Sequence, residues 1–512
     1  MNFTQLFEND ILSIFPETFL SIAILALLVF GVIYTKQSKT ENNHANSLSL
    51  MNTVAWLCIL SIFLTILLLI NQPFANITFL QNLLVKDSLT LFVKITMLLS
   101  CVGCFLISFN YLKEEKIDSF EYNVLILLAT LGMMLLVSSY DLISMYLAIE
   151  LQSLSLYVLA AFQRNTEQST EAGLKYFLLG AFSSGILLFG CSLIYGFTGS
   201  TNFGELLKLL SNVSDKGLPM SGIAIGLIFI ITALLFKLAA APFHMWAPDV
   251  YEGAPTSVTA FFAIVPKIAV MGLLARICLQ IFAEFSAEWQ DILIFSAALS
   301  MLIGSITGLY QNRIKRLLAY SAIGHVGYIL IGLVTGSLLG LQALLVYLVI
   351  YIIMSLNMFG IILALRKTKH PSGQSKAITF LNDLKQLAYH QPLTAVMLTL
   401  SLFSMAGIPP LAGFYSKWYI FSAAINAQLY ALALLGVLTS VIGSVYYIRI
   451  IRIMYFDRTI QDSPNTIQPI YQPIAFESSF LISLTTFLLL VFSLYPSPLF
   501  LMTHKAALAL CF

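Results

Sequence analysis

Four ionisable side chains lie far inside apolar segments of this 512-residue chain: Glu150, Lys237, Lys267 and Lys417. Glu150 falls about nine residues into its segment, which at 1.5 Å per residue is about 14 Å along a helix. A charge at such a depth in a bilayer costs about 2.5–3.5 kcal/mol, so it marks an ion or proton pathway or a buried polar contact. Carboxylate and ammonium groups at similar depth therefore predict a polar, proton-carrying path across the membrane.

Other ionisable residues leave two interpretations open. Lys175 lies four residues after Glu171, which fits either an ion pair at a helix end or a proton site. His244 and His325 are candidate proton relays, but a membrane histidine can equally be a hydrogen-bonded packing residue. Lys94 and Arg276 lie nearer the ends of their segments, where we expect packing or snorkelling to the headgroups.

The composition predicts a membrane protein. Residues of the AVILMFWYC set make up 59% of the chain and charged residues only 10%, with a net charge of +2. A soluble globular protein carries about 25% charged residues, so this chain cannot cover itself with a water-facing surface. So apolar a composition, with so few charges, also excludes a disordered chain. The balance of charge gives no electrostatic basis for binding nucleic acid.

The apolar segments predict an all-α polytopic fold of about fourteen transmembrane helices, because about 20 apolar residues cross a bilayer. Two spans are interrupted, the seventh at Pro242 and the twelfth at Gly407, Pro409 and Pro410. The expected spans are 11–34, 48–70, 86–110, 120–138, 141–162, 171–197, 219–241, 256–281, 289–309, 314–334, 340–365, 391–425, 429–451 and 474–500. Segment 202–212 is amphipathic and is expected on the membrane surface.

The distribution of basic residues predicts the orientation. With this set of spans, sixteen Lys and Arg residues fall in the loops of one face and four fall on the other. Because basic loops stay on the inner side, both termini and loop 198–218 are expected outside, opposite loops 311–316 and 366–391.

The two interrupted spans lie five helices apart, and each carries a lysine. Since five is odd, the two units would insert upside down relative to each other, as in inverted-repeat transporters. The expected organisation is an N-terminal three-helix segment (1–119), a first half (120–281), a second, inverted half (289–455) and a C-terminal helix with its tail (456–512).

No motif for a cofactor or a metal is visible. The chain has no glycine-rich dinucleotide loop, no Walker sequence and no haem-attachment motif. Cys101 and Cys104 have a metal-like spacing but are expected to be plain apolar packing residues. We therefore expect no cofactor and no metal in this chain.

Three motifs resemble the antiporter-like membrane subunits of respiratory complex I. They are Pro242-Phe-His-Met-Trp-Ala-Pro-Asp249, Ala319-Tyr-Ser-Ala-Ile-Gly-His325 and Ala406-Gly-Ile-Pro-Pro-Leu-Ala-Gly-Phe414. The segments at 146–152, 171–177 and 495–500 are similar to the plant-type mitochondrial members. Lys417 favours the branch of the family with lysine, rather than glutamate, on the twelfth helix.

The resemblance implies fourteen helices, with helices 4–8 and 9–13 as an inverted pair around a midplane axis of protonatable residues. It assigns proton translocation to Glu150, Lys175, Lys237, His244, Lys267 and Lys417, to which the residue analysis adds His325. It implies neighbouring antiporter-like and small hydrophobic subunits as partners in the mitochondrial inner membrane or, alternatively, a bacterial cytoplasmic membrane. NADH, FMN, iron–sulfur clusters and ubiquinone would be used by other subunits.

Two functions remain open from the sequence. The first is a proton-pumping subunit of complex I, coupled to NADH oxidation and quinone reduction carried out by other chains. The second is an Mrp-like secondary cation/proton antiporter subunit without redox partners. A purely structural scaffold explains the four deep ionisable groups less well.

Overall fold

A computed structural model of the chain describes residues 3–40, 44–72, 76–115, 117, 119–211, 220–368, 375–457 and 470–511. This part of the chain is almost entirely helical. Thirteen of its helices are long and apolar enough to cross a membrane. The predicted all-α polytopic fold is therefore confirmed.

The helices up to the middle of the chain are α1 (Phe3–Thr40), α2 (His44–Asn71), α3 (Ser88–Glu114), α4 (Glu121–Ser138), α5 (Leu142–Ala160), α6 (Glu167–Thr198), α7 (Phe203–Leu210), α8 (Met220–Leu238), α9 (Trp246–Gly253) and α10 (Thr256–Arg276). Helix α10 continues into a short π-helical stretch, Ile277–Ile281, and a 3₁₀ turn, Ala283–Phe285.

The remaining helices are α11 (Ser286–Leu309), α12 (Ile314–Val334), α13 (Leu338–Ala364), α14 (Leu387–His390), α15 (Pro392–Ala406), α16 (Ala412–Asn426), α17 (Tyr430–Tyr455), α18 (Phe476–Leu494) and α19 (Ser497–Cys511), with a 3₁₀ turn at Leu381–Leu384. Short strands occur only in loops of the described chain. β1 (Ile77–Phe79) pairs with β2 (Leu84–Lys86), and β3 (Arg366–Thr368) pairs with both β4 (Ser375–Ala377) and β5 (Ile470–Tyr471).

Two predicted spans differ from the structure. Span 391–425 is two separate helices, α15 and α16, of 15 residues each, and neither can cross a bilayer alone. The last span ends at Leu494 rather than at 500, and α19 follows it. Pro496 and Pro498 explain this second difference, since proline cannot continue a helix but can begin one.

Helix α10 lies at the centre of the fold. Every one of its 21 residues is buried, including Lys267. It packs against α3, α4, α8, α12 and α13, so that it touches both the earlier and the later helices. A side chain near the middle of α10 is therefore shielded from lipid on all sides by protein.

The first interruption lies between α8 and α9, where the chain turns at residues 239–245. Serines of α11 satisfy the freed backbone: the Ala241 amide donates to Ser300 Oγ at 2.8 Å, and Ser296 Oγ donates to the Ala241 carbonyl at 2.8 Å. Backbone polar groups at membrane depth need such partners because no bulk water reaches them. The turn containing Pro242 is thus a packed part of the structure.

The second interruption separates α15 from α16. Gly407 ends α15 with φ of 85°, a left-handed conformation that favours glycine. A Cβ on Gly407 would lie 2.9 Å from Cδ of Lys417, so the absence of a side chain also makes room for this lysine. Pro409 and Pro410 lie in the turn that follows. Both interrupted helices of the predicted fold are present.

Two buried ion pairs join helices that are distant in sequence. Lys94 of α3 contacts Glu17 of α1, and Arg276 at the end of α10 contacts Asp87, the N-cap of α3, at 2.7 Å. Arg276 is fully buried and Lys94 is 6% exposed. Of the two expectations for these cations, packing is confirmed and snorkelling is wrong, because each cation has a carboxylate from another element inside the protein.

Breaking the Arg276–Asp87 pair is expected to destabilise the protein strongly. Removing one partner of a buried pair leaves an uncompensated charge, at a cost of about 3–5 kcal/mol. Arg276→Met and Asp87→Asn should each lower the thermal unfolding midpoint of the detergent-purified protein. The double variant should lose less than the sum of the two. Arg452→Met is the matched control, since Arg452 is 75% exposed beside Asp457 and such pairs contribute about 0–1 kcal/mol. Additive losses would contradict direct pairing.

Candidate functional site

Lys237 lies one residue before the end of α8, on the edge of the first interruption. Its ammonium donates to the hydroxyl of Tyr157 on α5 at 3.2 Å and lies 5.6 Å from the centre of that ring. A cation over an aromatic face is attracted by the ring quadrupole. Tyr157 is therefore the group that holds Lys237.

Glu150 is on α5, seven residues before Tyr157, and is half-buried. Its Oε1 atom is buried and has no hydrogen-bond partner among the described residues. Within the described residues no ion pair joins Glu150 to Lys237, whose ammonium contacts Tyr157 instead. The predicted approach to within one water stays a prediction.

A small cavity lies beside Lys237. It has a volume of about 10 Å³ and is lined by polar groups of Gln152 and Ser153, by Lys237, and by Pro266 of α10. A polar cavity of about this size holds one water molecule. Pro266, in this lining, is the residue directly before Lys267.

Lys267 is only 4% exposed, in the middle of α10. Its ammonium donates to the Ala322 carbonyl of α12 at 3.5 Å and lies 5.6 Å from the ring centre of Tyr351 on α13. These contacts direct Lys267 away from the earlier helices and towards the later ones.

His325 of α12 lies in a cage of tyrosines. Nδ1 is 2.8 Å from the Tyr347 hydroxyl, and Nε2 is 3.2 Å from the Tyr447 hydroxyl. The Tyr351 ring, which also faces Lys267, is 5.3 Å from the imidazole. Both ring nitrogens therefore have a hydroxyl that can either donate or accept. His325 can take a proton on one nitrogen and release one from the other.

Lys417 of α16 reaches back across the second interruption. Its ammonium donates to the carbonyls of Met405 at 3.2 Å and Ala406 at 2.9 Å, the last residues of α15. A cation at a helix C-terminus is stabilised by the free carbonyls and the helix dipole. Lys417 also lies 5.2 Å from the ring centre of Tyr328.

A second cavity of about 10 Å³ lies between His325 and Lys417. Its polar lining includes Ser321, Thr439 and Tyr447 as well as these two residues. It has the room and the partners for one water molecule. We call Lys237, Lys267, His325 and Lys417 the central line: Lys267 and His325 both face Tyr351, His325 and Lys417 line this cavity, and the cavity beside Lys237 reaches Pro266, the residue before Lys267.

Two sequence-predicted residues lie apart from this line. Lys175 is 41% exposed in an ionic cluster, 2.7 Å from Glu171 and 3.0 Å from Asp249. The i,i+4 pair predicted for it is present. His244 lies in the turn after α8, and its Nδ1 is buried without a partner among the described residues.

Sequence reasoning missed the tyrosines that contact the lysines and His325: Tyr157, Tyr328, Tyr347, Tyr351 and Tyr447. A faint signal was available. Tyr347 and Tyr351 share one face of α13, and Tyr157 lies two turns from Glu150 on α5. Nothing in the spacing distinguishes them from ordinary membrane tyrosines.

Comparison with known proteins places this arrangement in a family. Residues 139–443 match the family model described as NADH:quinone oxidoreductase/Mrp antiporter, TM. The chain is 48% identical to NADH-ubiquinone oxidoreductase chain 2 of Marchantia polymorpha, over 99% of this chain and 100% of that one. It is 42% identical to NADH-quinone oxidoreductase subunit N of Parvibaculum lavamentivorans, over 98% of each.

Solved structures share the fold. A chain of respiratory complex I from Thermus thermophilus has a TM-score of 0.75 and 28% identity, covering 95% of this chain and 98% of that chain. A chain of the Mrp complex from Dietzia has a TM-score of 0.79 at 22% identity, covering 97% of each, and supports the fold alone. The matched family model and the long, full-length similarities establish that the chain belongs to the NADH:quinone oxidoreductase/Mrp antiporter membrane-subunit family, with the chain 2 and subunit N proteins as relatives.

Proposed function

We propose that this chain is a proton-translocating membrane-arm subunit of an NADH:quinone oxidoreductase. One observation supports this most directly: Lys267 and His325 both face Tyr351, His325 and Lys417 line one water-sized cavity, and Lys237 lines another together with Pro266, the residue before Lys267. Each of these four side chains can bind and release a proton. The relatives named for NADH oxidoreductases support coupling to quinone reduction.

The mechanism begins at Glu150 and Lys237. An anionic Glu150 stabilises the ammonium of Lys237, so weakening that interaction makes Lys237 readier to release its proton. The proton then passes through the cavity beside Gln152 and Ser153 towards Lys267. His325, with a hydroxyl on each nitrogen, forwards it to Lys417. A change in charge pairing, rather than a large helix movement, drives the transfer.

The organisation of the chain fits this mechanism. We propose residues 120–281 as a first half and 289–455 as an inverted second half, preceded by a three-helix segment at 1–119 and followed by 456–512. Each half contains one interrupted helix with a lysine beside the interruption. Lys267 lies on α10, the central helix that contacts both halves. We propose that Lys175 and His244 serve proton access rather than the central line.

The chain is proposed to work inside a larger assembly. NADH, FMN, the iron–sulfur clusters and the quinone would belong to other subunits, and the neighbours would be antiporter-like and small hydrophobic membrane subunits. The location proposed is the mitochondrial inner membrane, since the relatives include chain 2 proteins of plants. An Mrp-like antiporter without redox partners is the alternative. Co-purification with flavin and iron–sulfur chains distinguishes the two.

Neutralising Glu150 is expected to lower pumping more than assembly. Glu150→Gln keeps the volume of the side chain but removes the charge that stabilises Lys237. Lys237→Ala should have the same effect, and the double variant should lose less than the sum of the two because the groups are coupled. Proton uptake per NADH in reconstituted vesicles is measured beside the content of assembled complex on a native gel.

The control for this cycle is Leu154→Gln, which places the same amide on an outward position of α5. It should leave the proton yield of assembled complex unchanged. Full pumping by an assembled Glu150→Gln complex would remove Glu150 from the mechanism and leave it a structural role.

Removing hydroxyls from the His325 cage should slow proton transfer while preserving packing. Tyr347→Phe and Tyr447→Phe each leave one imidazole nitrogen without its partner. Each change should reduce proton uptake per NADH, and the combined change should abolish most of it. Tyr310→Phe, at an 80% exposed position, is the control. Unaltered pumping in the assembled double variant would show that His325 is a packing residue.

The orientation is tested by cysteine labelling from one side of the membrane. Ser211 and Tyr389 are exposed on loops that the charge distribution assigns to opposite faces. A membrane-impermeant thiol reagent on the matrix side should label Tyr389→Cys and not Ser211→Cys. Labelling of both from the same side would overturn the proposed orientation.

A further inference from the structure

An open cavity lies on the face of the protein that carries the basic loops. Its volume is about 240 Å³, and Gln168, Glu171, Lys175, Asp249, Glu252, Arg313 and Arg316 are among its lining residues. We call it the ionic vestibule. Three carboxylates and three cations give it no net charge, so it is a well-hydrated space rather than a site for one anion or one cation.

Most of the charged groups of the ionic vestibule form ion pairs that involve the short helix α9. Asp249 pairs with Lys175 of α6 at 3.0 Å and with Arg316 of α12 at 3.4 Å. Glu252 pairs with Arg316 at 3.1 Å and also with Arg313. Helix α9 is therefore held by ion pairs from both the earlier and the later helices.

The C-terminus of α9 is fixed as well. Lys315 donates to the carbonyls of Glu252 at 3.3 Å and Ala254 at 2.7 Å. A cation at this end is favoured by the free carbonyls. The position of α9 thus depends on the charges around the vestibule.

The N-terminal end of α9 lies beside the cavity that Lys237 lines. Trp246, the first residue of α9, donates its indole N–H to the Phe236 carbonyl at 2.9 Å. Its ring stacks on Tyr176 of α6, with centres 4.6 Å apart and planes at 19°. Both rings are 4% exposed. The stack is a buried aromatic wall next to the lysine that begins the proton line.

Two cavities are lined by residues of this wall or by residues close to it in sequence. Tyr176 and Trp246 line the small cavity that contains Lys237. Lys175, the residue before Tyr176, and Ala172, one turn earlier, line the ionic vestibule. The vestibule and the Lys237 cavity are thus lined by consecutive residues of α6, Lys175 and Tyr176, and the two rings line the cavity on the Lys237 side.

We propose that the ionic vestibule is the proton-uptake entrance of the first half and that the Tyr176–Trp246 stack is its gate. This inference rests on the proposed function and identifies where protons enter. Movement of α9, permitted when its ion pairs loosen, parts the rings and lets water reach Lys237. With the pairs intact, the rings keep Lys237 apart from the vestibule. In this view Lys175 positions α9 and does not itself carry protons along the central line.

Thiol labelling tests the gate without any turnover. Ser153→Cys places a thiol in the Lys237 cavity, and Gln168→Cys places one in the vestibule. A small cationic methanethiosulfonate is added to assembled complex from the basic-loop side, and mass spectrometry measures modification at each position. Gln168→Cys should react readily in every background, whereas Ser153→Cys should be nearly unreactive with the wild-type gate.

Opening the gate should expose Ser153→Cys. Tyr176→Ala removes one ring and should raise its labelling rate by about tenfold or more, because the closed state no longer excludes the reagent. Tyr176→Leu is the milder change if assembly falls. The matched control is Phe182→Ala, which removes a ring from an outward, 70% exposed position of the same helix and should leave labelling unchanged.

The ion pairs have their own test. Asp249→Asn removes the charge that faces both Lys175 and Arg316, and it should raise Ser153→Cys labelling several-fold. Glu171→Gln changes a 64% exposed partner of Lys175 that does not contact α9 through an ion pair, and it should not. Fast labelling in the wild-type background, or slow labelling in assembled Tyr176→Ala and Tyr176→Leu, would overturn the gate. Since labelling needs no NADH, these outcomes are independent of whether Glu150→Gln abolishes pumping.

Discussion

The cost of placing charge in a low-dielectric interior determines how this protein is built. Lys94 and Arg276 each contact a carboxylate from another helix, and these pairs fasten the fold. Lys237, Lys267 and Lys417 are instead held by tyrosines and backbone carbonyls. A carboxylate fixes the charge of its partner, whereas a hydroxyl or carbonyl stabilises an ammonium and still lets the proton leave. The kind of partner thus separates structural cations from those suited to transfer.

Burying an unpaired backbone polar group is also costly, so a helix can be interrupted at membrane depth only where other groups bind the freed backbone atoms. Ser296 and Ser300 satisfy the polar groups of Ala241 at the first interruption. At the second, the Lys417 ammonium itself satisfies the carbonyls of Met405 and Ala406. At the first interruption neutral hydroxyls bind the freed backbone, so Lys237 contacts Tyr157 instead. At the second interruption Lys417 itself binds the freed carbonyls. Lys417 therefore makes a buried polar contact and is also one of the residues proposed to carry protons, which are the two roles that the sequence left open.

Much of the fold could be predicted from the sequence because helix length and apolar content are local properties. The spans follow from the bilayer thickness, and the interruptions follow from Pro242, Gly407 and Pro409. Contacts between distant helices could not be predicted. Arg276 meets Asp87 across 189 positions of sequence, and the tyrosines around His325 come from α13 and α17. The sequence could not predict that Lys175 is partly exposed and paired with Asp249. Asp249 follows a turn, and no local pattern specifies the direction of that turn.

Neutral tyrosines between the cations have a consequence for the direction of transfer. They add no negative charge to the line, so a proton on one lysine repels a proton on the next. Two unit charges about 10 Å apart interact by about 1.7 kcal/mol at an effective dielectric constant of about 20. His325 shares the Tyr351 ring with Lys267 and a cavity with Lys417, so both lysines act on it. In the proposed mechanism, an arriving proton at Lys267 therefore favours departure of a proton from Lys417.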